Sequence, residues 1–256
     1  MRVCYEFESD KPVKLPIQYN HILQGLIYDH ISDAALKHFL HEEGFDINNR
    51  RYKMFTFSRL EGAFNMNRDK GVIEFKPPLK LTLSSAMEVF IENLSEAFMK
   101  SDRLNLAGQP LSLSSIKVIP PPHIDGRVKV KMLSPVVAYS TAKNMERTIT
   151  YYYSPMEDNF SRIIEQGLHR KYQLIYNRRL PEPKLTMRPI GRIDDRYMKV
   201  IEYKGTVIKG WMGIYWLDGS PELIKVAYDS GIGSKTSMGF GCFDIIQTEK
   251  GGERNA

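Results

Sequence analysis

The 256-residue sequence predicts an α+β protein made of two tandem ferredoxin-like halves, set at residues 1–122 and 123–256. Three observations carry this. The elements run strand, helices, strand, strand, helix, strand up to the proline run Pro120-Pro121-Pro122, and a comparable order recurs after it. The length also accommodates two cores of about 100–130 residues each, so the boundary falls at 120–126. The recurrence is one of pattern and not of sequence identity.

In chain order, residues 2–8 alternate as a strand. Helical spacing follows over 20–31 (Ile22, Leu23, Leu26, Ile27) and 33–42 (Ala35, Leu36, Phe39, Leu40), with Asn20 and Asp33 as N-cap candidates. Strands are predicted at 52–57 and 71–76, a helix capped by Ser84 or Ser85 runs to Met99, and a strand at 111–119 ends at the prolines. Beyond them come a strand at 128–137, a helix at 158–176, and strands at 185–193, 198–208 and 211–216. A helix from Pro221 and a strand at 239–246 complete the chain. A sheet of this kind leaves one face open, the surface that RNA-recognition (RRM-like) modules use, and a tandem pair forms an RNA-binding cleft for a strand or stem.

Lys and Arg number 36 against 30 Asp and Glu, a formal net charge of +6, which favours a polyanionic partner without the excess of a tail-driven binder. The two cysteines, Cys4 and Cys242, each sit in an apolar strand-like run and read as reduced core residues, so a cytoplasmic location is expected. The N-terminus alternates without an apolar core, and nowhere do about 18 uncharged apolar residues run together, which argues against secretion and membrane spanning.

The most distinctive segment is Ser230-Gly-Ile-Gly-Ser-Lys-Thr-Ser-Met-Gly-Phe-Gly-Cys242. It reads as an anion-holding loop between a helix and a strand. Walker and dinucleotide loops run from strand to helix and aim a helix N-terminus at phosphate; here the preceding helix presents its negative end. A phosphate would be held by successive backbone N–H groups, helped by Lys235 and the hydroxyls of Ser234, Thr236 and Ser237. The plainer alternative is a helix C-cap at Gly231 followed by a bulged strand entry.

No His or Cys spacing suits a metal, no Gly-x-Ser-x-Gly is present, and no acidic pair stands out, so no metal or cofactor is expected. What remains is Tyr28, His41 and Lys53, on three different elements. Each has an ordinary reading: an amphipathic helix residue, a helix C-terminal cation, and a solvated strand-end lysine. Together they fit RNA cleavage by 2′-hydroxyl attack, which needs a proton acceptor, a proton donor and a cation for the phosphorane charge. Histidine, with an ordinary pKa of ~6.5, can serve as either acid or base.

Four blocks, Tyr19-Asn-His-Ile-Leu-Gln-Gly-Leu-Ile-Tyr28, Phe39-Leu-His-Glu-Glu-Gly-Phe45, Lys53-Met-Phe-Thr-Phe-Ser58 and Gly231-Ile-Gly-Ser-Lys-Thr-Ser-Met-Gly-Phe-Gly241, together resemble the CRISPR-associated repeat-processing endoribonucleases, the Cas-six type of the RAMP superfamily. The resemblance spans nearly the whole chain. It implies tandem ferredoxin-like domains and metal-independent cutting of CRISPR precursor RNA within repeats, which releases guide RNAs with 5′-hydroxyl and 2′,3′-cyclic phosphate ends. It implies Tyr28 as proton acceptor, His41 as proton donor and Lys53 as cation, with the first two able to exchange roles on pKa grounds. It also implies that Gly231, Gly233, Gly239 and Gly241 let the RNA backbone approach, with Ser234, Lys235 and Thr236 lining the loop. Repeat RNA is the implied partner, with effector-complex subunits and a second copy of the chain as further candidates.

The segment 46–52 is polar and reads as a flexible loop, so Lys53 is expected to reach the site with RNA-ordered help, or Arg50 or Arg51 to replace it. A non-cleaving subunit that holds repeat RNA is the competing reading, and His41 argues against it. A mononucleotide enzyme is disfavoured by the order of elements around the glycines.

Overall fold

The computed structural model describes residues 1–144, 147–181 and 184–250. It is a mixed α and β chain, mostly strands with a few helices, as the tandem ferredoxin-like reading requires. The first half contains β1 (Arg2–Glu8), β2 (Val13–Pro16), α1 (Asn20–Asp29), α2 (Ala34–His38) with a π-helical turn over Phe39–Glu43, β3 (Phe45–Ile47), β4 (Arg50–Tyr52) and β5 (Phe55–Phe57). It continues with β6 (Glu61–Asn67), β7 (Val72–Ser85), α3 (Glu88–Lys100), β8 (Leu104–Leu106) and β9 (Gln109–Val118). Its sheet runs β2-β7-β1-β9-β8, with β5 and β6 also pairing to the long β7. Alternation in β1 sends Val3, Tyr5 and Phe7 inward, where Phe98 of α3 meets the Tyr5 ring edge-on at 5.0 Å.

The second half contains β10 (Gly126–Met132), β11 (Tyr139–Asn144), β12 (Arg147–Tyr152), α4 (Asp158–Tyr176), β13 (Leu185–Pro189), β14 (Met198–Tyr203), β15 (Thr206–Trp211), β16 (Ile214–Gly219), α5 (Pro221–Ser230) and β17 (Phe243–Lys250). Its sheet runs β13-β16-β10-β17. Phe160, Ile164 and Leu168 of α4 and Leu223, Ile224 and Ala227 of α5 share one core with Val128, Val130, Tyr215 and Leu217 of that sheet. Among the described residues no helix is long and apolar enough to cross a membrane.

Several expected elements change. Asn20 does not cap α1; Tyr19 holds that position, and the Asn20 amide instead donates to the carbonyls of Met238 and Gly239. Asp33 does cap α2, accepting from Leu36 N–H at 2.9 Å, but the helix expected over 33–42 gives way to the π turn after His38. Ser84 and Ser85 close β7 rather than cap α3, because the buried register of β7 against β1 carries through to Ser84. The strand expected at 52–57 is broken at Met54, whose φ of 55° turns the chain between β4 and β5.

Further differences lie in lengths and turns. The strands expected at 71–76, 128–137, 185–193 and 239–246 are observed as β7, β10, β13 and β17. The run 198–208 is a hairpin, not one strand: Lys204 (φ 46°) and Gly205 (φ 78°) supply the consecutive left-handed pair that a two-residue hairpin turn requires. The 46–52 segment is likewise a hairpin, β3 to β4, turning at Asn48 and Asn49 (φ 53° and 58°). Cys4 and Cys242 carry free thiols, and burial pushes the Cys242 thiol up to about 11.

The two halves are stitched together beneath the glycine-rich segment. Gln24 of α1 donates to the Ser237 carbonyl at 2.7 Å, Thr56 of β5 to the Phe240 carbonyl at 2.8 Å, and Ser84 of β7 to the Tyr228 carbonyl at 2.9 Å. The Tyr203 hydroxyl donates to the Gln24 side-chain oxygen, and the Arg2 guanidinium donates to the Phe243 carbonyl while lying 4.2 Å over the Tyr228 ring. All these partners are buried or half-buried, so breaking one leaves an unsatisfied polar group, at about 1–3 kcal/mol each.

Candidate active site

Tyr28, His41 and Lys53, from three elements, meet at one place. Leu23, Leu26 and Ile27 bury one face of α1, which carries Tyr28 inward to 8% exposure. Its hydroxyl donates to the Leu40 carbonyl at 3.0 Å. The π turn then widens the helix so that Leu40 is buried while the next residue, His41, points to solvent. The two rings stand edge to face with centroids 5.4 Å apart.

Lys53 reaches the same turn from the other side, its Nζ donating to the His41 carbonyl at 3.1 Å. The β3–β4 hairpin delivers it, so no ordering by RNA is needed. Arg51 supports the turn as well, donating to the Glu42 carbonyl at 2.8 Å. Gly44 makes the approach possible: it ends the π turn at φ 72°, and a Cβ there would lie 2.9 Å from both Lys53 Cδ and the Tyr52 carbonyl oxygen.

The electrostatics divide these groups. Burial raises the Tyr28 phenol above its ordinary pKa, so the neutral, donating form is held. Burial, and then the neighbouring Arg51, lower Lys53. The hydrogen bond from His41 lowers the Glu42 carboxyl, and the Nδ1 to Oε1 distance is 2.6 Å. With Nδ1 committed to the carboxylate, Nε2 is left to face a substrate.

The glycine-rich segment adjoins this site across a cleft of about 300 Å³ lined by Arg51, Tyr52 and Lys53 on one side and Ser234, Lys235 and Thr236 on the other. Tyr28 and His41 lie beyond its wall and connect to it through Lys53. Part of the segment's backbone is already engaged within the protein: Ser234 N–H donates to Val137, Met238 N–H to Lys235, Gly239 N–H to Thr236, and Gly241 N–H to Pro135. Lys235 itself is left-handed (φ 60°), with Nζ 5.1 Å from the centre of the Tyr139 ring, and burial lowers its pKa.

The protein's own packing already demands the glycines. A Cβ would lie 2.7 Å from Thr56 Cβ at Gly231, 2.5 Å from the Val137 carbonyl oxygen at Gly233, 2.6 Å from the Phe57 ring at Gly239 and 1.9 Å from the Ile232 carbonyl oxygen at Gly241. All four have φ between 73° and 83°.

Sequence reasoning missed Gly44, Glu42, Gln24 and Lys171. Glu42 belongs to no acidic pair that stands out in the sequence, although its place next to His41 is a signal. Lys171, on α4, is 2% exposed, and its Nζ donates to the Ser230 and Gly231 carbonyls at 2.9 and 2.8 Å. No local pattern marks it.

The family described as "CRISPR associated protein Cas6, C-terminal" matches residues 119–245. Over its full length the chain is 27% identical to "CRISPR-associated endoribonuclease Cas6 1" of Methanocaldococcus jannaschii, covering 96% of that protein. It is 28% identical to "CRISPR-associated endoribonuclease Cas6" of Pyrococcus furiosus, with 93% of this chain and 86% of the relative covered. Among solved structures, one described as "An RAMP protein binding different RNA substrates" superposes with a TM-score of 0.79 at 22% identity, over 96% of this chain and all of the other.

Proposed function

We propose, for a chain that belongs to the Cas6 family, that it is a metal-independent endoribonuclease that cleaves CRISPR precursor RNA within its repeats. The observation that carries this reading is the convergence of an exposed imidazole, oriented by Glu42, with the Lys53 ammonium on the edge of a cleft whose lining residues include no carboxylate. The RNA lies in the cleft with its backbone between the β3–β4 hairpin and the glycine-rich loop. Lys53 faces the phosphate, where its charge stabilises the phosphorane as the 2′-oxygen attacks. His41 gives a proton from Nε2 to the departing 5′-oxygen, leaving 5′-hydroxyl and 2′,3′-cyclic phosphate ends.

The resemblance assigns the 2′-hydroxyl proton to Tyr28. Burial and the hydrogen bond to Leu40 oppose a phenolate there, and they favour a positioning role in which the phenol holds the turn that carries His41 while the 2′-hydroxyl proton passes to solvent water as the 2′-oxygen attacks. Tyr28→Phe separates the two. A positioning phenol predicts a loss of no more than about tenfold in single-turnover cleavage, one neutral hydrogen bond's worth, whereas a proton acceptor predicts ~100-fold or more.

The reaction itself is tested with purified protein in EDTA and the repeat RNA of the organism's own CRISPR array. Cleavage is expected without added metal, and a single 2′-deoxy substitution at the cut site is expected to abolish it. Cleavage of the 2′-deoxy substrate would rule out attack by the 2′-oxygen. Tight binding with no cleavage of the all-ribose repeat would establish instead a subunit that only holds repeat RNA.

A further inference from the structure

Lys171 is a buried cation that the chemistry above does not use. Its two hydrogen bonds fall on the Ser230 and Gly231 carbonyls, the C-terminal end of α5, and its side chain also lines the cleft. Aligned peptide dipoles make that helix end partly negative, so a phosphate resting on the loop that follows would be repelled by it. A cationic nitrogen seated on those carbonyls offsets the repulsion. It also fixes where the chain leaves the helix, because Gly231 is hemmed in on its other side by Thr56 and Thr236, 2.7 and 2.8 Å from where a Cβ would stand.

The geometry points to Lys171 as a positioning residue for RNA in this cleft: it anchors the start of the glycine-rich loop and, in its charged form, balances the end of α5 against a bound phosphodiester. The inference rests on the reading of the cleft as an RNA site.

Burial alone lowers Lys171 to about 7, so the free protein carries it partly as the neutral amine at neutral pH. Charged groups stand on each of the elements around it. Arg50, Arg51 and Lys53 from the hairpin and Lys235 from the loop are cations lining the same cleft. On α5, Asp229 is paired with Lys225 at 2.6 Å; on α4, Glu165 accepts from the Leu185 N–H and Arg170 is half-buried; Asp46 on β3 and Arg188 on β13 are exposed. A phosphate entering the cleft favours the ammonium, so RNA binding takes up a proton at this nitrogen. Affinity then falls as the pH rises above about 7.

Lys171→Met, similar in length and apolar, tests this with the same repeat RNA. Expected are an RNA Kd at least ~10-fold weaker near pH 7, a saturated single-turnover rate within about threefold of the parent, and a flattened affinity profile between about pH 7 and 9. An unchanged Kd and an unchanged pH profile would overturn the inference and leave Lys171 a structural cap. If Lys171→Met does not fold, calorimetry on His41→Ala protein, which keeps Lys171, decides: titration with the repeat RNA near pH 8 in two buffers of different ionisation enthalpy should show net proton uptake, and none would refute the proposal. A parent protein that gives no binding at all would instead refute the function on which the proposal stands.

Discussion

Replacing His41 by alanine is expected to slow repeat cleavage at least ~100-fold, the lower end of what a positioned general acid or base contributes. RNA affinity should stay within about threefold, because the imidazole side chain is 62% exposed and its polar partner in the free protein is Glu42, not part of the cleft. For the same reason stability should shift by no more than about 0.5 kcal/mol, the range of ordinary surface substitutions. The combination is diagnostic: a folded, binding, non-cutting variant. Single-turnover cleavage at saturating protein, with binding measured in parallel, reads it directly, and a cleavage rate equal to the parent's would remove His41 from the chemistry. Tyr28 does not compensate, since its phenol is buried and already donates to Leu40.

Gly241→Ala is expected to be among the most damaging single methyl groups that the described residues could receive. Its Cβ would sit 1.9 Å from the Ile232 carbonyl oxygen, a backbone atom, at a φ of 73°. Ile232 cannot retreat cheaply: its N–H donates to the Gly241 carbonyl at 2.9 Å, and the Gly241 N–H is held by the Pro135 carbonyl at the same distance. Left-handed strain of about 1 kcal/mol and two disturbed hydrogen bonds at about 1 kcal/mol each sum to at least ~3 kcal/mol. That corresponds to a fall in Tm of roughly 6–12 °C for a chain of this size. Gly25→Ala is the matched control, since Gly25 lies inside α1 with nothing within 4 Å of a new Cβ. There alanine should stabilise by about 0.5–1 kcal/mol through helix propensity. Thermal unfolding of the two variants should therefore move in opposite directions, and a Gly241→Ala protein as stable as the parent would contradict the packing described for the loop.

The parts of this molecule that local periodicity governs were readable in the sequence. The helix at 158–176 is α4 to the residue, because its apolar spacing, an acidic first residue and a left-handed Asn177 after it all agree. The Ser/Lys/Thr segment was rightly placed between a helix and a strand. The turns were harder. Lys204-Gly205 and Asn48-Asn49 both make tight hairpins, yet neither pair interrupts a polar or β-rich run strongly enough to be read as punctuation. Asn20 shows the same limit from another direction: a residue type that favours helix starts spends its amide on carbonyls 218 and 219 positions away.

At the candidate site the residue types were legible and their environments were not. That Tyr28, His41 and Lys53 come together follows from α1, the π turn and the hairpin meeting. That the phenol is buried and the imidazole exposed depends on a one-residue widening of a helix, which no spacing rule encodes. Lys171 was invisible for a related reason. Its role is set by the end of a helix about 60 positions later, and burial of a lysine on an otherwise amphipathic α4 looks, in one dimension, like any solvated charge.

The glycine-rich loop belongs to one half of the molecule by covalent bonding and to the other by contact, since Asn20, Gln24 and Thr56 all grip its carbonyls. Any swing that spread the two halves would have to let go of those carbonyls first. The loop and the hairpin facing it across the cleft are therefore both fastened to the first half, although only the hairpin is part of it by sequence.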